Sequence, residues 1–266
     1  MSFGQLCDRA RFEDLASIAP RAGAPLWFLH IPKTAGSSFR RSMMAWFPAS
    51  VHLDMLQSGP NPVRIEPDVV VADFMASGSQ DTKLFCASHV PYRHWLPLFD
   101  QQPDAKLITF LREPMARLIS DFRFQGTKGY PRHLEFRQKF PEFSLFYRDK
   151  SAINRMSKHL SARPREPVAE IIERLEANFA LVGTQESYDF CLKLLLVGLG
   201  QPAEMTESML NVTSDSAYHV DITQDVKDEV TELNRADTVL YNHFASRLDA
   251  ARPRLEAMLA DHDHRP

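Results

Sequence analysis

An apolar run of four residues, Leu26, Trp27, Phe28 and Leu29, gives way at His30 to HIPKTAGSSFR, after which the spacing becomes helical. This succession of buried strand, tight loop and helix start constrains the chain more than any other feature, because it builds a place for an oxyanion at the end of a strand. Lys33 supplies a full positive charge, and Gly36 allows the backbone close to the anion. Thr34, Ser37 and Ser38 add hydroxyl donors, and the N–H groups around Ala35 to Ser38 are those a helix start leaves unpaired.

The ordinary nucleoside triphosphate loop reads GxxxxGK followed by Ser or Thr, with its Lys after the second Gly. Here Lys33 stands three residues before Gly36. The loop is therefore built for phosphate without being a standard ATP or GTP loop.

A second segment has matching chemistry. KLITFL from Lys106 reads as a buried strand, and in REPMARLISDFRF, which follows from Arg112, Pro114 suits the first turn of a new helix. Arg112 falls at the strand end and Ser120 about two helical turns past the helix start. A guanidinium can grip a terminal phosphate through two parallel N–H groups while a Ser hydroxyl adds a neutral donor. The competing expectation pairs Arg112 with Glu113 or Asp121 on the surface, and Arg117 and Arg123 are expected to be solvated or paired with acidic neighbours.

The first loop is similar to the 5'-phosphosulfate-binding loop of sulfotransferases that use 3'-phosphoadenosine 5'-phosphosulfate (PAPS). The branch it most resembles includes heparan sulfate 2-O-sulfotransferases and many bacterial relatives. The strand, Arg112, short loop and helix with Ser120 resemble that family's 3'-phosphate-binding element. The resemblance spans roughly residues 25–247, with its specific content in the two cofactor motifs. It implies PAPS as donor and adenosine 3',5'-bisphosphate (PAP) as product. The acceptor it implies is a carbohydrate or glycolipid.

Composition sets outer limits. A chain of 266 residues, 44% hydrophobic, can bury one large core. The expected organisation is an N-terminal extension over 1–24 and a single α/β domain over 25–266, with a helical insertion at about 131–175. Its fold class is a P-loop nucleotide-kinase-like parallel sheet flanked by helices. The net charge of −3 does not favour nonspecific nucleic-acid binding. Cys7, Cys86 and Cys191 are widely spaced without metal-ligand spacing and are expected to be reduced thiols.

MSFGQLCDRARFEDL does not read as a secretion signal, and CLKLLLVGLG from Cys191 is too short and too interrupted for the roughly 18 to 20 apolar residues of a membrane span. A cytoplasmic protein is expected, unlike the membrane-anchored Golgi enzymes of the animal branch. The sequon at Asn211, Val212 and Thr213 is then accidental. No repeat or coiled-coil pattern fixes an oligomeric state.

Strands are expected at Leu26–His30, Val69–Phe74, Leu84–Ser88, Lys106–Leu111 and Phe179–Gly183. Helices are expected at Ser37–Phe47, Tyr92–Phe99 and Pro114–Gly126. Thr184 is a candidate cap for the apolar helix after it, Gln201 to Asp215 reads as loop, and helical patterns run from Gln224 onward.

Sulfuryl transfer needs a cation beside the departing phosphate oxygen and a base for the acceptor hydroxyl. Lys33 fits the first role. His89, in SHVPY at the end of a strand, is the leading base, because ligands of open parallel sheets meet the chain there and an ordinary His is largely neutral at pH 7. The resemblance places a catalytic His at this position too. His94, His52 and Asp54 are rivals, Asp54 the foremost since other branches use a carboxylate there. Arg155 in SAINRMSKHL, together with Asp54, is a candidate acceptor or phosphate contact. No metal-ligand spacing is evident, so metal-independent catalysis is expected. Two alternatives stand beside the transferase: a P-loop-type kinase using ATP and Mg2+, and a noncatalytic module that binds PAP.

Overall fold

The computed structural model describes residues 1–9, 11–21, 23–56, 63–79, 82, 84–201 and 220–263. In chain order its elements are α1 (Phe3–Arg9), β1 (Leu26–Leu29), α2 (Gly36–Trp46), β2 (Ser50–Leu53), α3 (Pro67–Ala76), β3 (Phe85–Ser88), α4 (Leu96–Gln101), β4 (Lys106–Leu111), α5 (Pro114–Gly126), α6 (His133–Lys139), α7 (Phe143–Tyr147), α8 (Arg155–Leu160), α9 (Val168–Asn178), β5 (Phe179–Thr184), α10 (Tyr188–Gly198), α11 (Gln224–Leu233) and α12 (Arg235–Asp263). Short 3-10 turns lie at Phe12–Ile18, Tyr92–His94 and Gln185–Ser187.

The five strands form one sheet in the order β2-β3-β1-β4-β5, with every neighbouring pair parallel. This is the P-loop-like α/β fold expected from the sequence. β1 and β3 are buried along their whole length, as a parallel sheet covered by helices requires. After β1 the chain builds β2 and β3 on one side and then crosses β1 to build β4 and β5 on the other. The direction of winding reverses there, and the crevice beyond the carboxyl ends of the strands at that reversal is where ligands of such sheets bind.

Three expectations about elements change. Val69–Phe74 is not a strand but part of α3. Pro67 occupies its first turn, and Val70 and Phe74, four residues apart, are the buried positions, while Val69 is exposed. The fifth strand is instead β2, an edge strand whose four residues are all partly exposed. Thr184 also departs from expectation: it closes β5, its side chain caps nothing, and α10 starts only after the 3-10 turn. Tyr92–Phe99 divides into a 3-10 turn and α4, which has Pro97 in its first turn. Most of the Gln201–Asp215 stretch, with the sequon, lies outside the described residues.

The main core surrounds the sheet and includes Phe3 and Leu6 of α1 and also Leu15 and Ile18, so residues before β1 contribute to the same cluster. A satellite core of Leu118, Phe122, Phe136, Phe140, Phe143, Phe146 and Tyr147 joins α5, α6 and α7. The short helices after residue 131 thus have an aromatic core of their own beside the sheet. Among the described residues no helix is long and apolar enough to cross a membrane.

Candidate active site

Four of the expected site residues follow the carboxyl ends of four parallel strands. The HIPKTAG loop leaves β1, Asp54 follows β2, His89 follows β3 and Arg112 follows β4. Register aligns these ends, with Leu29 opposite both Ser88 and Thr109, and Leu53 opposite Ser88. Sequence separation is therefore no obstacle to their meeting.

The β1–α2 loop turns by placing Lys33 and Ala35 in the left-handed region, at φ 71° and 70°. Neither is glycine, so each position carries local strain, which in folded proteins concentrates at ligand sites. Thr34 is buried and its hydroxyl donates to the carbonyl of Ile31 at 2.9 Å. A hydroxyl has one proton to give, so the Thr34 side chain holds the loop and is not the free donor the sequence suggested. Ala35 is the N-cap of α2 and no side chain caps that end. The first N–H groups of α2 thus face the loop as donors for an anion, with exposed Ser37 and half-buried Ser38 alongside.

Gly36 has a different reason from the one expected. A Cβ built there would lie 1.8 Å from the His30 ring, so the helix start packs directly on that imidazole. The missing side chain makes room for His30.

Lys33 is half-buried, with its Nζ 4.0 Å from the centroid of the Phe124 ring. Burial lowers its pKa, Asp121 opposes that shift, and Arg112 adds to it. Arg112 donates from Nη1 to the carbonyl of Lys33 at 3.2 Å. The competing partners of Arg112 are engaged elsewhere: Glu113 caps α5 by accepting from the N–H groups of Met115 (2.9 Å) and Ala116 (2.6 Å), and Asp121 holds buried Arg117 at 3.0 Å. Ser120 is half-buried one turn before Phe124, on the side of α5 that turns toward Lys33. Phe124 also meets Tyr130 edge to face at 5.9 Å, and these two partly exposed rings line this side of the site.

His89 is fixed on two sides. Its N–H donates to Leu53 at 3.0 Å, and its ring Nδ1 lies 2.9 Å from the carbonyl oxygen of His30. A carbonyl can only accept, so Nδ1 carries the proton and Nε2 keeps its lone pair. Burial lowers the pKa of His89, with Asp54 and the bond to His30 pulling the other way. Asp54 itself is exposed and accepts from the N–H of Leu56 at 3.1 Å. His94 is engaged by Asp68, whose Oδ1 lies 2.6 Å from its Nδ1.

The sequence did not signal the company His89 keeps. The His30 ring centroid is 4.0 Å from that of His89, and the His52 ring is 5.2 Å from His89. His30 is buried, which drives its pKa well below the usual value, and burial with His89 and Arg40 nearby brings His52 to about 4. Register could have found them, since His52 pairs with Ala87, two residues before His89, and His30 follows the neighbouring strand.

Arg155 opens α8, and α12 holds that helix in place. Asp237 accepts from the N–H groups of Met156 (3.0 Å) and Ser157 (2.7 Å), while Asn154, left-handed at φ 50°, receives a bond from the Asp237 N–H and donates to the Asn234 side chain. The donors of this helix start are used up internally. Arg155 keeps a contact to the Ser151 carbonyl at 3.2 Å; burial lowers its pKa, and Asp121 raises it.

The protein-family model described as Sulfotransferase family matches residues 22–244. The chain belongs to the sulfotransferase family. It is an enzyme of the PAPS-dependent sulfotransferase class, the one to which its two phosphate motifs pointed. No curated protein sequence matches it. Among solved structures, this sulfotransferase is similar to mouse sulfotransferase SULT7A1 complexed with PAP, at 12% identity over 86% of this chain and 69% of that chain, with a TM-score of 0.40. It is also similar to the sulfotransferase from Alicyclobacillus acidocaldarius, at 15% identity over 87% of this chain and 96% of that one, with a TM-score of 0.43.

The residues brought together fit a doubly phosphorylated nucleotide. Lys33 and the uncapped start of α2 offer one set of anion donors, and Arg112, joined to Lys33 through its carbonyl, offers a second with Ser120 on the helix that follows.

Proposed function

We propose that this sulfotransferase uses Lys33 as the cation beside the departing phosphate and His89 as the base that deprotonates an acceptor hydroxyl on a carbohydrate or glycolipid. When bound, PAPS would supply the sulfuryl group that passes to the acceptor oxygen, with PAP as the leaving group. The acceptor proton goes to Nε2 of His89. Lys33, the N–H groups of Ala35 to Ser38, and the Ser37 and Ser38 hydroxyls bind the 5' end; Arg112 and Ser120 bind the 3'-phosphate.

The observation that carries this reading is the bond from His89 to the His30 carbonyl. It fixes the neutral tautomer with its basic nitrogen free, on a residue that follows the strand beside the phosphate loop. An ammonium held by the loop gains strength as negative charge grows on the leaving oxygen. Asp54 is exposed and engaged with Leu56, which favours His89 over it as base. Lys33 and Arg112 supply the charge that a metal would otherwise bring, so turnover should persist in a chelator.

For the acceptor, the half-exposed rings of Phe124 and Tyr130 offer a stacking surface, and Arg155 a polar contact. Cys7, Cys86 and Cys191 are buried thiols, which accords with a reducing, cytoplasmic location. Steady-state transfer from labelled donor to a panel of glycans and glycolipids tests the reading. A hydroxylated glycan or glycolipid should be sulfated, and His89→Ala should lose about 100-fold or more in kcat while retaining PAP affinity. Full turnover by His89→Ala would remove the base assignment.

A further inference from the structure

Three imidazoles meet at the carboxyl ends of β1, β2 and β3. One ring nitrogen from each of His30, His52 and His89 lies within 4.8 Å of the other two. Nδ1 of His30, in a side chain only 3% exposed, has no hydrogen-bond partner, and neither has Nε2 of His52. Buried polar atoms are nearly always satisfied, so two unsatisfied imidazole nitrogens beside a third with a free lone pair call for an occupant.

We infer that His30, His52 and His89 form a site for a borderline transition-metal dication, with Zn2+ as the type, and that filling it switches the enzyme off. Three neutral imidazoles are a donor set that selects such cations over Mg2+ or Ca2+, which take oxygen ligands. Zinc holds nitrogen at about 2.0 to 2.1 Å, so the ring nitrogens need close by only about an ångström through small side-chain rotations. The contact that leaves Nε2 of His89 bare is also the kind that orients a metal-binding His, a ring N–H given to a main-chain carbonyl. Arg40 and Arg155 lie near enough to act on His89 and oppose a dication, while Asp54 offsets them. The site is therefore a reversible one, weaker than an all-thiolate structural zinc centre.

The three ring nitrogens converge whatever reaction the enzyme runs. The inhibition rests on the proposed role of His89, since a lone pair given to a metal cannot take a proton from the acceptor.

The test uses the full chain stripped of metal with a chelator. Co2+ is titrated by visible absorption, and Zn2+ by competition with a chromophoric chelator. Wild type, His52→Ala and His89→Ala are compared, each checked for native fold by circular dichroism. One equivalent of metal should bind wild type, and affinity should fall at least about tenfold in either variant, with Mg2+ leaving the site unfilled. Zn2+ should also inhibit wild-type transfer relative to its metal-free rate, with the inhibition relieved by chelator and shifted to higher Zn2+ in His52→Ala. Absence of stoichiometric binding, or equal binding by folded His52→Ala, overturns the site. Stoichiometric binding without inhibition keeps the site and removes the base role of His89. Loss of turnover in His89→Ala with no metal binding does the reverse.

Discussion

Arg112 donates from Nη1 to the main-chain carbonyl of Lys33 at 3.2 Å, across 79 positions of sequence. The end of β4 thereby braces the loop that follows β1, and the two segments proposed to hold phosphate become one structure. This contact also counters the strain of a left-handed Lys33, because it satisfies the carbonyl that the turn exposes. A change at Arg112 should therefore be felt at both ends of the nucleotide.

Arg112→Lys keeps the charge but loses the planar fork. It should bind PAP more weakly than wild type and more tightly than Arg112→Ala, with the fold intact by circular dichroism. Equal affinity in Arg112→Lys and wild-type enzyme would mean that Arg112 acts only as a point charge.

The pH profile of kcat tests His89, with a chelator present throughout. As the proposed base His89 acts in its neutral form, and burial lowers its pKa from 6.5. The charged, inactive form then accumulates only below that value. Activity should hold at neutral pH and fall with an acid-side midpoint below 6.5. A midpoint above 6.5 would contradict the environment described for His89.

Gly36→Ala puts a methyl group where the His30 ring lies, 1.8 Å from the nearest ring atom. Overpacking of this kind costs about 1 to 3 kcal/mol. Denaturant unfolding should show that loss, and because His30 also holds His89, kcat should fall with it. Unchanged stability and kcat would mean that His30 moves aside at no cost.

Asp237→Ala removes the carboxylate that receives three bonds from Met156 and Ser157. Loss of a helix cap costs about 0.5 to 2 kcal/mol, and Arg155 loses its fixed base. The variant should unfold at lower denaturant and show a raised acceptor KM, with PAP affinity little changed. A pure stability loss with an unaltered KM would take Arg155 out of the acceptor site.

The parts of the fold that could be read from sequence were those where the local signal and tertiary structure agree. β1, β3, β4 and β5 are mostly apolar and almost wholly buried because both faces of the sheet are covered. Val69 to Phe74 misled because consecutive Val residues favour strands, whereas Pro67 and the four-residue spacing of Val70 and Phe74 suit a helix. β2 escaped notice because an edge strand reading Ser, Val, His, Leu with every residue half-exposed has no apolar run.

At the site, Lys33, Arg112 and His89 could be located because each follows a recognisable strand or loop. The roles of Thr34 and Gly36 could not be separated, since only the folded loop shows that one bonds inward to Ile31 and the other yields space to His30. The three-histidine cluster depends on the β1–β3–β2 register, which no local pattern encodes.

Arg112 is the proposed anchor for the 3'-phosphate of an adenosine nucleotide. Calorimetric titration of wild type and Arg112→Ala with PAP, ATP and adenosine 5'-phosphate, in chelator, tests it most directly. Selective binding of PAP is expected, weakened in the variant by about 1.5 to 3 kcal/mol, or roughly 10- to 150-fold. Preference for ATP, or PAP affinity indifferent to Arg112, would contradict it.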